Sequence, residues 1–174
     1  CLRLLDADAD GVMVVSADES GPDAIDRFER VARAFDPGRM GVIDCSGRGE
    51  DAHAGNVCTV TSPADLTGIG IQFSRLFGHL GDPGVPRVRT GLYSLSTILP
   101  YVDEIQPVFR FLHTLTGRIR TADGLGVCTI DPETQDDRVL GSVSQPFDGR
   151  VEYRRSDDGT AELRLVGLRD HDDD

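Results

Sequence analysis

The stretch Arg87–Pro132 constrains the fold most, because it reads as a strand, a helix and a second strand. Arg87–Ser94 begins with alternating polar and apolar residues and then becomes apolar. Behind Asp103, a favoured capping residue, apolar side chains recur at helical spacing, and the predicted face comprises Ile105, Val108, Phe109, Leu112, Leu115 and Ile119. Leu125–Ile130 is a short apolar run that suits a strand buried on both faces. A helix with one wide apolar stripe needs a sheet beneath it, so this stretch predicts a βαβ unit.

The rest of the chain repeats the alternation of strands and helices. Further strands are predicted at Gly11–Ser16, Met40–Asp44 and Val57–Thr61. Further helices are predicted from Pro22, from Ser62 and over Glu133–Val143, and the second of these is apolar enough, Ile71 included, to be well buried. Two alternating runs, Phe147–Arg155 and Ala161–Gly167, flank a Gly-containing turn and predict a hairpin.

These elements together predict an α/β fold. We expect a mostly parallel sheet flanked by helices, followed by an antiparallel hairpin. A single domain is expected over residues 1–169, with a disordered acidic tail at 170–174.

The charge of the chain bears on its surroundings. The sequence has 30 acidic and 18 basic residues, a net charge of −12, and every basic residue is arginine. So acidic a chain without lysine resembles proteins of a salt-loving, haloarchaeal cytosol, where concentrated salt screens the repulsion between carboxylates. The same charge argues against a nucleic-acid surface, and no run in the sequence is apolar and long enough to predict a membrane span. We therefore expect a cytoplasmic protein.

The four cysteines indicate packing rather than chemistry. No two of them form a C-x-x-C pair, so a zinc site or a redox motif has little support. Cys45 and Cys128 lie in apolar runs and are predicted to be small buried residues.

Several polar side chains lie at the carboxyl ends of the predicted strands, where parallel sheets bind ligands. They are Asp18, Glu19, Asp44, Asp131 and the segment Ser94–Ser96. An acidic pair such as Asp18-Glu19 can hold a magnesium ion or orient a water. Any single one of these carboxylates is more simply interpreted as an ordinary loop residue than as a functional one, because acidic residues are common throughout the chain. No G-x-x-x-x-G-K-[ST] phosphate loop is present, since the chain has no lysine.

Five segments resemble proteins of the RecA superfamily. GVMVVSADES, followed by a helix and MGVIDCS, resembles two core strands of KaiC-like members, and RVRTGLYSLSTIL resembles their Walker B strand. SPADLTGIGIQFSRL and VFRFLHTLTGRIRTADGLGVCTIDP resemble more closely a haloarchaeal family of uncharacterised KaiC/GvpD-like proteins. The resemblance extends over the chain up to the hairpin. It implies a RecA/KaiC-like fold whose first strand, carrying Walker A, would precede Cys1, so that the chain is expected to be an N-terminally truncated fragment.

The resemblance also implies roles for individual residues. Asp18 and Glu19 match the acidic pair that activates the attacking water in KaiC-like ATPases, and Ser94 and Ser96 match the segment after Walker B. Tyr93 stands where the Walker B acid belongs, and a tyrosine cannot replace a metal-binding carboxylate. Phosphoryl transfer depends on positioned cations and phosphate-binding amides. We therefore expect a degenerate site without cofactor or metal, with ATP and magnesium bound only if an upstream segment supplies a phosphate loop.

Three functions are consistent with these observations. The first is a non-catalytic RecA/KaiC-like domain that acts in regulation or signalling through a protein partner or a homo-oligomer. The second is a nucleotide-binding ATPase subunit whose phosphate loop lies upstream. The third is a small-molecule enzyme that uses Asp18, Glu19, Asp44 or Asp131.

Two structural expectations follow from the resemblance and the central helix. The absent first strand would lie between Arg87–Tyr93 and Leu125–Ile130, so the sheet should show either a gap there or a direct pairing that closes it. In the helix, Phe109, Leu112 and Leu115 should face the sheet while Arg110 is exposed.

Overall fold

A computed structural model describes residues 5, 10–32, 36–48, 56–80, 85, 87–156 and 159–167. The predicted acidic tail at 170–174 and the domain boundary at 169 lie outside these residues.

The core is a five-stranded parallel sheet with the order β3-β2-β1-β4-β5. Its strands are β1 (Gly11–Ser16), β2 (Met40–Asp44), β3 (Val57–Thr59), β4 (Val88–Tyr93) and β5 (Leu125–Cys128). The helices are α1 (Gly21–Glu29), α2 (Leu66–Leu80), α3 (Leu95–Ile98), α4 (Ile105–Thr121) and α5 (Asp137–Ser144). A separate antiparallel hairpin joins β6 (Arg150–Arg155) to β7 (Ala161–Val166). The predicted α/β fold with a terminal hairpin is confirmed.

Both faces of the sheet are covered, which explains the unbroken apolar runs of β1 and β2. Every residue of these two strands is buried. On one face Met13 and Val15 pack in a cluster that includes side chains of α2 and α4. On the other face Val12 and Val14 pack with Phe28 of α1. Central parallel strands are apolar on both sides for this reason, so the sequence gives no alternation there.

Strand β4 pairs directly with β5, from Arg89 opposite Leu125 to Leu92 opposite Cys128. No gap separates the two strands. Of the two outcomes expected at this position, the structure therefore has the direct pairing that closes the sheet.

Strand β5 differs from its prediction. It forms an edge of the five-stranded sheet, and its first two residues are exposed, Leu125 with 42% of its surface. The expectation of a strand buried on both faces is wrong, because an apolar run of four to six residues does not reveal whether a second neighbour flanks the strand.

The buried face of α4 is also shifted from the predicted one. Its buried residues are Val108, Phe111, Leu112, Leu115, Thr116 and Ile119. Phe109 is half-buried and stacks on His113 with ring centroids 6.1 Å apart, whereas Arg110 is exposed as expected. With about 100° of rotation per residue, Phe111 lies about 60° from Val108 around the helix and Phe109 about 100° from it. The prediction that Phe109 faces the sheet is therefore wrong.

Several helix boundaries differ from expectation. Glu104, and not Asp103, is the N-cap of α4. Helix α2 begins at Leu66, where the Asp65 carboxylate accepts a hydrogen bond from the amide of Gly68 at 2.7 Å. On the same helix Ile71 is 61% exposed, against the prediction of burial. The short helix α3, directly after β4, has no counterpart in the prediction. None of the helices in the described part of the chain is both long and apolar enough to cross a membrane.

Candidate functional site

The candidate site lies where the carboxyl ends of β1 and β4 meet. The strand order reverses between these two strands, and such switch points are the ligand-binding crevices of open α/β sheets. Ser16 at the end of β1 is in register with Tyr93 at the end of β4, and the amide of Ala17 donates to the carbonyl of Tyr93 at 2.7 Å. Asp18 and Glu19 therefore follow one strand of the switch point, and Ser94 follows the other.

Asp18 is exposed and bridges the two strand ends. Its carboxylate accepts a hydrogen bond from the hydroxyl of Thr97 in α3. Its carbonyl accepts a longer one, 3.4 Å, from the guanidinium of Arg48. Sequence reasoning missed Thr97, because only the pairing of β1 with β4 brings these residues together.

Glu19 is held by groups of its own turn and of α1. Its carboxylate lies 3.0 Å from the guanidinium of Arg27. Its carbonyl accepts a 2.7 Å hydrogen bond from the hydroxyl of Ser16. The carboxylate is directed toward α1 by this ion pair, whereas that of Asp18 is directed toward α3, so the two acids do not converge on one point.

Asp44 at the end of β2 is 1% exposed and has its own set of donors. Its carboxylate accepts hydrogen bonds from the amide of Gly21 at 2.8 Å, the amide of Ser46 at 2.9 Å and the hydroxyl of Ser46 at 2.7 Å. The bond to Gly21 ties β2 to the first residue of α1. A side chain at Gly21 would come within 2.7 Å of Val57, so the chain needs glycine there. Asp44 therefore fixes the start of α1.

Tyr93 packs its ring on the α1 face of the sheet. A Cβ atom at Gly91 would lie 2.7 Å from this ring, so the ring covers the backbone of its own strand. The phenol oxygen is buried without a hydrogen-bond partner. Burial raises the pKa of Tyr93 to about 12, although the positive charge of Arg27 acts in the opposite direction. The phenol is therefore neutral at physiological pH.

Ser96 and Asp131 form a further contact, beyond the end of β5. The hydroxyl of Ser96 accepts a 2.8 Å hydrogen bond from the amide of Asp131, and Thr134 donates to the same hydroxyl at 3.4 Å. The Asp131 carboxylate caps the short 3₁₀ helix Pro132–Thr134 by accepting from the amide of Glu133 at 3.0 Å. Ser94 is the N-cap of α3 but its side chain makes no capping bond. The candidate residues thus divide among four separate contacts: Asp18 with Thr97, Glu19 with Arg27, Asp44 with Gly21 and Ser46, and Ser96 with Asp131.

Comparison with known proteins gives one family. The family DUF7504, described as a family of unknown function, matches residues 1–153. The chain belongs to the DUF7504 family. The match spans the whole parallel sheet and ends in β6. A search of curated proteins finds no match to this sequence.

Within the described residues, the acids of this DUF7504 chain do not gather into a recognisable metal site. Among the described residues, no three side chains of histidine, cysteine, aspartate or glutamate are grouped as metal ligands are. The described carboxylates at the strand ends instead accept hydrogen bonds from neighbouring backbone and side-chain groups.

The thiols of Cys45 and Cys128 are poor nucleophiles. Cys45 is fully buried, as predicted, and its thiol donates to the carbonyl of Ser16 at 3.1 Å. Burial, together with the charge of Asp44, raises the pKa of Cys45 to about 12. Burial also raises the pKa of the Cys128 thiol above its ordinary value, although the residue as a whole is only partly buried. Both thiols therefore stay protonated at physiological pH.

Proposed function

We propose that this DUF7504 domain is a non-catalytic, RecA/KaiC-like domain of the cytoplasm that regulates or signals through contacts with other proteins. The placement of Tyr93 carries the proposal. In the resemblance to KaiC-like proteins this residue takes the position of the acid that binds the catalytic metal. Its phenol is neutral and buried in the apolar layer beneath α1, so it supplies neither the charge nor the exposed oxygen that magnesium requires.

The contacts of Asp18 and Glu19 support the same function. Each carboxylate already bonds a side chain of a neighbouring helix, Thr97 for Asp18 and Arg27 for Glu19. A water-activating carboxylate must reach the attacking water, which these contacts disfavour.

The direct pairing of β4 with β5 gives further support. In a KaiC-like sheet the strand that leads into the phosphate loop would lie between them, and here the two strands bond each other along four residue pairs. A phosphate loop places backbone amides at a helix N-terminus next to that strand. Regulation by protein contact requires neither the loop nor the metal.

Titration calorimetry with magnesium-ATP in high salt tests the proposal. We expect no binding at micromolar nucleotide. The opposite result, micromolar binding that is lost in Asp18→Ala/Glu19→Ala, would identify a working nucleotide site and overturn the proposal. The matched control is Asp103→Ala/Glu104→Ala. It removes another exposed Asp-Glu pair, which directly precedes α4.

A further inference from the structure

One face of the β6–β7 hairpin is apolar and exposed. Val151 lies opposite Leu165, and Tyr153 lies opposite Leu163. The exposed fractions of these four side chains are 52%, 64%, 60% and 70%, in that order. We call these four residues the hairpin face. Alternate residues of a strand point to the same side, so all four belong to one continuous surface.

The opposite side of the hairpin is satisfied by its own charges. The Arg150 guanidinium lies 2.8 Å from the carboxylate of Glu152, and that of Arg164 lies 3.9 Å from the same carboxylate. Arg154 is directly opposite Glu162 across the two strands. This side is suited to solvent, so only the hairpin face requires a cover.

The energetics of a hairpin make that cover necessary. Two strands alone are marginally stable in water, and stable sheets have further strands or pack an apolar face on another element. Among the described residues no element packs closely on the hairpin face, since all four side chains are more than half exposed.

Charge indicates what the cover is. From residue 150 to residue 166 the sequence carries four arginines and four acidic residues, whereas the rest of the sequence carries 14 arginines and 26 acidic residues. Two copies of so acidic a chain repel each other over most of their surfaces. The hairpin is neutral overall, and its exposed face is apolar apart from Arg155 at the turn end, so two copies can meet there without placing carboxylates against carboxylates.

We propose that two copies of this chain pack their hairpin faces against each other, as a symmetric dimer. Each hairpin then covers the other, and the charged sides of both stay in water. The face is the same on both copies, as a two-fold interface requires. Four side chains on each copy are far fewer than the ~20–30 residues a side of a standard interface, so the dimer is a weak and reversible one. The proposal is independent of whether the switch point binds nucleotide.

Sedimentation equilibrium of the full chain over a range of protein concentrations tests the dimer. We expect the mass to rise from one to two chains with concentration. Leu163→Thr/Leu165→Thr should weaken the association at least tenfold, because it removes two apolar side chains while keeping residues that favour strands. The control Glu162→Thr/Arg164→Thr changes the other side of the same strand, also leaves the net charge unchanged, and should dimerise like the original chain. A chain that stays monomeric at all concentrations, or an unchanged association in Leu163→Thr/Leu165→Thr, would overturn the proposal.

Two further experiments, salt dependence and disulfide cross-linking, distinguish a dimer formed through the hairpin faces from binding of another surface to this face. Raising the salt concentration should strengthen the dimer, since it screens the repulsion between the acidic chains. Association that weakens with salt would indicate a contact held by opposite charges and would overturn the face-to-face contact. Under mild oxidation Tyr153→Cys should form a covalent dimer faster than Arg154→Cys, whose thiol lies on the charged side. Equal rates for the two variants would also overturn it, and this comparison does not depend on the threonine variants folding.

Discussion

Two aspartates at neighbouring strand ends show how the surroundings of a residue decide its role. Asp44 is 1% exposed and accepts three hydrogen bonds from Gly21 and Ser46, whereas Asp18 is exposed and accepts a side-chain bond from Thr97. Both lie at the carboxyl ends of strands of the same sheet, and both are candidates on sequence grounds. Only Asp44 is enclosed by hydrogen-bond donors from a helix start and a loop, so its carboxylate has a structural role.

Removing the two carboxylates should have unequal effects on stability. Asp44→Ala leaves the buried amide of Gly21 without its acceptor, and a buried unpaired donor costs about 1–3 kcal/mol. Asp18→Ala changes an exposed side chain, for which we expect about 0.5 kcal/mol or less. Urea unfolding of both variants measures the difference. Equal midpoints for the two would contradict the structural role of Asp44.

The buried thiol of Cys45 should make stability depend on alkaline pH. Its pKa is raised from 9.0 to about 12, so the thiol stays neutral in the folded chain while it ionises in the unfolded chain. The contribution is present in full below pH 9.0 and is lost as the pH rises toward 12. The free energy of unfolding should therefore fall less steeply above pH 9.0 in Cys45→Ala than in the original chain.

Urea unfolding at several alkaline pH values measures this slope. Val42→Ala is the control, because it removes buried apolar atoms from the adjacent strand without removing a titrating group. Its stability should be lower at every pH, with the slope of the original chain. A slope for Cys45→Ala that matches that of Val42→Ala would show that the thiol does not contribute.

At the scale of elements, α4 determines how the sheet is covered on one side. Its buried face centres on Val108, Leu112 and Leu115, and Phe111 lies on the flank of that face. Phe109 lies farther around the helix, where it contacts His113 instead of the sheet. The two phenylalanines lie about 160° apart around the helix, so Phe111 is buried whereas Phe109 is only partly buried.

Truncation of these two phenylalanines should lower the stability of the chain by different amounts. Phe111→Ala removes a ring that is 9% exposed, and truncating a buried phenylalanine costs about 3–5 kcal/mol. Phe109→Ala removes a half-buried ring, and we expect the smaller loss, because part of its surface is already in water. The urea midpoints of the two variants give the comparison. A larger loss for Phe109→Ala would mean that the helix presents a different face to the sheet.

For the whole molecule, the net charge of −12 should make stability depend on salt. Repulsion between carboxylates destabilises the compact chain more than the expanded one, and salt screens this repulsion. Thermal melting from dilute buffer to molar potassium chloride should therefore show a Tm that rises with salt. A constant Tm would contradict the halophilic interpretation of the composition.

The sequence by itself determined the fold class and the most buried strands. The bounds of β1 and β2 were predicted to the residue, because an unbroken apolar run is a local signal of a strand covered on both faces. The start of α1 was predicted at Pro22, one residue after the observed start at Gly21, which follows the N-cap Ser20.

Only the tertiary structure decided the neighbours of these elements. The exposure of β5 depends on its place at the sheet edge, and the buried face of α4 depends on the sheet against which it packs. The contact between Asp18 and Thr97 joins residues 79 positions apart in the chain. Local patterns report propensity and periodicity, whereas burial and pairing at these positions depend on residues far away in the sequence. The candidate side chains could therefore be named from the sequence, but their bonding partners could not.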